Sequence, residues 1–136
     1  MNILVTGGAG FIGSHLVDKL LSQGHYVRVL DNLSTGTRIN GKADYVYGDC
    51  ADRRLVSIAT RNIDYVFHLA ANPSVALSVQ NPAASNSDNL NSTVELLEAC
   101  KQEHVKRVIL SSTSAVYGNH EGINSERQSA LSLIHI

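Results

Sequence analysis

Short apolar runs alternate with longer amphipathic stretches along this chain. Ile3-Leu4-Val5 is apolar without polar alternation, which reads as a strand buried on both faces, as in parallel sheets. From Phe11 to Gln23, Ile12, Leu16 and Leu20 recur at helical spacing with Val17 and Leu21 on the flank, and Gly24 stands where such a helix would end. Tyr26-Val27-Arg28-Val29-Leu30 predicts a second strand, ending in Asp31, and Tyr45-Val46-Tyr47 a third. The residues between them, from Asn32 to Arg38, are polar and turn-rich and leave room only for a short, irregular crossover. A short helix is expected over Asp52–Thr60, a fourth strand over Asp64–Ala71, and a polar linker from Asn72 to about Pro82. A long helix follows from Ala84 to Glu103, with Leu90, Val94, Leu97 and Cys100 or Lys101 as its apolar stripe, and then a fifth strand, Val108-Ile109-Leu110. The order β-α-β-β-α-β-α-β predicts an α/β fold: a doubly wound parallel sheet of about five strands with helices on both faces. In such sheets a ligand sits beyond the carboxyl ends of the strands.

The chain has 136 residues, the size of one domain with a real core. Its net charge of −1 gives no electrostatic case for nucleic acid or for an anionic membrane surface. No apolar run approaches a membrane span, and the first residues lack the basic start and unbroken apolar stretch of a secretory signal. Cys50 and Cys100 form no C-x-x-C pair and are read as reduced, buried residues. Together these features point to a soluble cytoplasmic protein. His15, His25, His68, His104 and His120 form no ligand-spaced cluster, so no metal is expected, and His68 is read as a hydrogen-bonded strand histidine.

Candidate chemistry gathers at the strand ends. Gly7, Gly8, Gly10 and Gly13 fall between the first strand and the first helix. Backbone N–H groups at a helix N-terminus attract phosphate, and glycines allow it to approach closely. Gly8, Gly10 and Gly13 fit G-x-G-x-x-G, whereas Gly7, Gly10 and Gly13 fit G-x-x-G-x-x-G. Asp31 lies about twenty residues beyond, at a strand end, where a carboxylate accepts both hydroxyls of an adenosine ribose. The same charge repels a 2′-phosphate, so it favours NAD over NADP; a turn aspartate is its other use. Asp49 either caps the helix after it or faces the ligand, and Arg38 is read as a solvated loop residue. The small Ala70-Ala71 lets a flat ligand pass. The glycines, Asp31, Ala70-Ala71 and Thr113 all fall on one rim of the predicted sheet.

Thr6 to Gly13, Asp31-Asn32-Leu33, Gly48-Asp49, His68-Leu69-Ala70-Ala71, Asn89 to Thr93 and Ser112 to Gly118 together resemble the extended short-chain dehydrogenase/reductase family, the NAD-dependent sugar-nucleotide epimerases and dehydratases. The resemblance runs from Met1 to Gly118. It implies a Rossmann-type NAD-binding domain using the register of Gly7, Gly10 and Gly13, with Phe11 and Ile12 covering the pyrophosphate by backbone contact. It implies that Asp31 and Asn32 hold the adenosine ribose, that Asp49 and Cys50 meet the adenine, that Leu69, Ala70 and Ala71 line the cofactor, and that Asn89 braces the site. Thr113 is implied as an active-site hydroxyl bonding the sugar hydroxyl to be oxidised; a strand-end hydroxyl bonded to its own backbone is the alternative.

The family chemistry is hydride transfer to NAD from a nucleotide sugar, with a tyrosine base tuned by a lysine four residues on. Tyr26, Tyr45, Tyr47, Tyr65 and Tyr117 all lack that lysine. The resemblance therefore implies the NAD-binding portion of such an enzyme over residues 1–126, inactive by itself. The long helix from Ala84 is a candidate homodimer face, the alternative being that its stripe packs on the sheet. Residues 127–136 fit no element and are expected to be a non-native or disordered tail. Two other functions stay open: a non-catalytic NAD-binding regulatory module, and an NAD-dependent reductase of a non-sugar substrate.

Overall fold

The computed structural model describes residues 1–118, 122 and 125–127; the tail from residue 128 lies outside the described residues. Five strands, β1 (Asn2–Thr6), β2 (Tyr26–Asp31), β3 (Asp44–Tyr47), β4 (Tyr65–His68) and β5 (Arg107–Leu110), pair in parallel in the order β3-β2-β1-β4-β5. Central β1 is buried from Ile3 to Thr6, which explains its unbroken apolar run. Alternate residues supply two cores. Ile3, Val5, Val27 and Val29 pack with Val17 and Leu20 of α1 (Phe11–Ser22). On the opposite face Leu4, Leu30 and Val66 pack with Val56 of α2 (Arg53–Thr60) and with Leu96, Ala99 and Cys100 of α5 (Ser92–Gln102). Each large side chain so buried contributes about 1.5–3 kcal/mol. Asp52 starts α2 by accepting the N–H groups of Arg54 and Leu55. No helix interrupts the crossover from β2 to β3, as expected.

The structure departs from the sequence-based expectation between residues 72 and 103. The polar linker contains a helix, α3 (Val75–Gln80), started by Ser74, whose hydroxyl accepts the N–H of Leu77. The expected long helix is divided into α4 (Pro82–Asn86), a π-helical turn over Ser87–Asn91, and α5. Around that turn Ser92 Oγ donates to the Asp88 carbonyl at 2.5 Å and Thr93 Oγ1 to the Asn89 carbonyl at 2.7 Å. Hydroxyls that compete for carbonyls four residues back loosen the regular ladder. Of the expected stripe only Cys100 faces the sheet: Leu90, Val94 and Leu97 are exposed, and Ser92, Leu96 and Ala99 are buried beside Cys100 instead.

At the opposite end from the predicted rim, Arg28 ties three elements together. Its Nε donates to Asp44 Oδ2 at 2.7 Å across the β2–β3 pair, and Nη2 donates to the Tyr26 hydroxyl at 3.0 Å. Nη1 reaches the carbonyls of Ile58, Ala59 and Arg61 at 3.1–3.3 Å, closing the C-terminus of α2. Arg28→Met keeps the aliphatic stem but removes these donors. We expect it to lower unfolding free energy by about 1–3 kcal/mol, read as a fall in the urea midpoint. An unchanged midpoint would mean that water replaces the guanidinium at no cost.

Candidate functional site

Parallel pairing brings distant residues level. Thr6 pairs with Leu30 on one side and with His68 on the other, so Gly7, Asp31 and Leu69, each one residue further on, share a row at the carboxyl edge. Backbone bonds extend that row: Gly7 N–H donates to Leu30 O at 2.9 Å, and Leu69 N–H to Thr6 O at 3.2 Å. A cleft opens above it. Of the residues singled out in the sequence, Gly7, Gly10, Asp31, Asn32, Asp49, Cys50, Leu69, Ala70 and Ala71 line this cleft.

The glycine turn forms its floor. Gly7 has φ +69°, and a Cβ there would lie 2.7 Å from the Ala70 nitrogen, so only glycine lets the two strand ends approach this closely. Gly10 starts α1 without any side-chain cap, and the first turn carries no acidic residue. The leading N–H groups of Phe11, Ile12 and Gly13 therefore have neither intrahelical nor side-chain acceptors, and the helix dipole adds to their attraction for an anion. The side chains of Phe11 and Ile12 are 84% and 66% exposed, and Phe11, Ile12 and Gly13 are not among the residues lining the cleft, which the glycine turn meets through Gly7 and Gly10.

Asp31 is buried, and its carboxylate holds two loops. Oδ2 accepts the Ala9 N–H at 2.9 Å and Oδ1 the Leu33 N–H at 2.8 Å. Each oxygen keeps a second lone pair, enough to accept a pair of ligand hydroxyls. Asn32 Oδ1 accepts from Ser34 N–H at 3.0 Å and its Nδ2 donates to Asp49 Oδ2 at 3.1 Å. Asp49 does not cap α2, a role Asp52 takes; its Oδ1 accepts the Ala51 N–H at 2.8 Å. Burial, with the Asp49 and Asp31 carboxylates nearby, pushes the Cys50 thiol up to about 12. Cys50 is thus an apolar wall and not a nucleophile. Arg38 is drawn off to α1, where it pairs with Asp18 at 2.8 Å.

The opposite wall is the irregular segment after β4. Asn89 does not line the cleft, yet its side chain grips the backbone of Asn72: Oδ1 accepts the N–H at 2.8 Å and Nδ2 donates to the carbonyl at 3.1 Å. Thr6 Oγ1 accepts the N–H groups of Leu69 and Ala70, both at 3.2 Å, and lies 2.7 Å from His68 Nδ1. His68 Nε2 lies 3.1 Å from Thr93 Oγ1. Thr6 and Thr93 lie inside sequence motifs, but neither they nor Asn72 carries a site role that local sequence assigns; strand pairing brings Thr6 to His68. Thr113 stands in an exposed position three residues beyond β5 and is not among the residues lining this cleft. Among the described residues no group of three or more His, Cys, Asp or Glu is placed to hold a metal ion. Among them, too, no helix is long and apolar enough to cross a membrane.

Known proteins resemble this chain in sequence and in fold. The UDP-glucose 4-epimerase of Halalkalibacterium halodurans is 44% identical over 121 residues, 87% of this chain and 36% of that protein. The crystal structure of the Thermus thermophilus UDP-glucose 4-epimerase complexed with NAD is 43% identical, with a TM-score of 0.86 over 93% of this chain and 43% of its own. The Thermotoga maritima UDP-glucose 4-epimerase with UDP-glucose is 44% identical, with a TM-score of 0.83 over 90% of this chain and 41% of its own. The chain thus spans about two fifths of the length of the relatives it matches. The family model of the NAD-dependent epimerases and dehydratases matches residues 3–133, and with the glycine turn, the buried Asp31 and the 3-2-1-4-5 sheet agreeing, the chain belongs to the NAD-dependent epimerase/dehydratase family.

Proposed function

We propose that this chain is the NAD-binding portion of a nucleotide-sugar epimerase of the UDP-glucose 4-epimerase type. One observation carries the reading: a capless helix N-terminus that invites phosphate and a buried carboxylate that accepts hydroxyls sit on adjacent strand ends of one cleft. The residues present fit the cofactor. Phe11, Ile12 and Gly13 would hold the pyrophosphate through the N–H groups of the uncapped α1 N-terminus beside the cleft, Asp31 and Asn32 the adenosine ribose, and Asp49 with Cys50 the adenine end. Leu69, Ala70 and Ala71 would flank the dinucleotide, with Asn89 keeping that wall in place through Asn72. Bound NAD supplies a hydride acceptor, which in the whole enzyme would serve the reversible oxidation of a sugar hydroxyl. Thr113, at the carboxyl edge beyond β5, would hydrogen-bond that hydroxyl. No tyrosine of the 136 residues is followed by lysine at the fourth position, so the 136 residues alone hold no tuned base and do not turn over. The relatives named above favour this reading over a regulatory module or a reductase of non-sugar carbonyls.

Calorimetric titration of the 136-residue chain is expected to show NAD binding at least about tenfold tighter than NADP, since the Asp31 carboxylate repels a 2′-phosphate. An assay with UDP-galactose and NAD is expected to give no UDP-glucose. Absence of NAD binding would overturn the cofactor reading; turnover would overturn the assignment of inactivity.

A further inference from the structure

We infer that His68 is a positioning residue, whose two ring nitrogens lock one wall of the cleft to the helical segment behind it. Beyond β4 the chain from Leu69 to Asn72 has no regular structure, so side chains must fix its path. Thr6 Oγ1 holds the start of this segment and Asn89 holds its end. His68 joins the two holders.

The donors and acceptors leave one arrangement. Thr6 Oγ1 accepts two backbone N–H groups, which uses both its lone pairs and leaves its proton to give. At 2.7 Å the receiver is His68 Nδ1; the neighbouring Cys50 sulfur is a weak acceptor by comparison. Nδ1 is then unprotonated, and the ring proton sits on Nε2, which donates to Thr93 Oγ1 at 3.1 Å. Thr93 in turn donates to the Asn89 carbonyl at 2.7 Å. The Leu69 N–H is shared between Thr6 Oγ1 and the Thr6 carbonyl, and no buried side-chain nitrogen or oxygen among the described residues lacks a partner. Burial disfavours the charged ring and holds the His68 pKa below its ordinary 6.5, which keeps Nδ1 free to accept. The series runs in one direction from Thr6 through His68 and Thr93 to the Asn89 backbone, and the Asn89 side chain closes it onto Asn72.

The part of this inference that concerns ligand binding rests on the NAD reading above; the lock itself does not. Three measurements test it. Nitrogen-15 spectra of the free wild-type chain should show His68 as the neutral Nε2–H tautomer, and the Nδ1–H tautomer would overturn the assignment. Thr93→Val removes the acceptor from Nε2–H and should release the Asn72 amide to hydrogen exchange. The same variant should weaken NAD binding about tenfold, the worth of one ordinary hydrogen bond, while Thr93→Ser, which keeps the hydroxyl, restores both. His68→Phe should act in the same direction as Thr93→Val. If the wild type binds NAD and Thr93→Val binds it equally well with Asn72 still protected, the inference fails. If the wild type does not bind NAD, the cofactor reading fails, and the tautomer and the Asn72 exchange alone decide the lock.

Discussion

Gly13→Ala is expected to abolish useful NAD binding by this chain, lowering affinity by about a hundredfold or more, or about 2.7 kcal/mol. A Cβ at Gly13 would lie 2.1 Å from the Gly7 carbonyl oxygen and 2.8 Å from the Gly8 Cα. Both are backbone atoms, so no rotamer change relieves the overlap. The first turn of α1 must move away from the glycine turn, and its N–H groups then no longer converge on one point. Calorimetry with NAD measures the loss, and a urea titration measures the accompanying destabilisation of about 1–3 kcal/mol. Gly41→Ala is the control, because a Cβ there meets nothing within 4 Å. Gly13→Ala binding NAD like the wild type would remove the glycine turn from the site.

Asp31→Ala carries the second large effect. It deletes the acceptor of both the Ala9 and Leu33 N–H groups, so the glycine turn and the β2 loop lose their common anchor even before a ligand arrives. Each lost charge-assisted bond costs about 1.5–3 kcal/mol where the donor is left buried. NAD affinity is expected to fall by about ten- to a hundredfold and the preference over NADP to shrink, both read by calorimetry. Asp31→Asn separates the two duties. Its amide oxygen still accepts one backbone N–H and its neutral charge no longer repels a 2′-phosphate, so discrimination should fall further than stability. Retained discrimination in Asp31→Asn would place the source of selectivity elsewhere.

The strands and the rim of the cleft were legible because the responsible signals are local. Ile3-Leu4-Val5 reads as a doubly buried run, glycines mark a turn under close approach, and Asp31 ends a strand at a telling distance. The helix from Ser92 was not legible in the same way. Val94 and Leu97 form one apolar stripe, and Leu96 with Cys100 forms another, so periodicity cannot say which one the sheet takes. Nor does spacing announce the π-helical turn at Ser87–Asn91, since the hydroxyls that compete for its carbonyls lie downstream, at Ser92 and Thr93. The lock around His68 is invisible for a different reason: its partners are separated by 62 and 25 residues and meet only through tertiary structure.

That parallel pairing has a consequence for how the molecule comes into being. Gly7, Asp31 and Leu69 share one row only after β4 has found β1, a contact that closes a loop of 62 residues. Loop closure of this length is an entropic cost met before any reward, so the step is slow compared with forming α1 on β1. During synthesis the glycine turn and Asp31 emerge first and can pair early, but they form half a groove. The groove gains its second wall when Leu69 arrives, and the ability to hold a ligand appears late, with the collapse of the sheet itself.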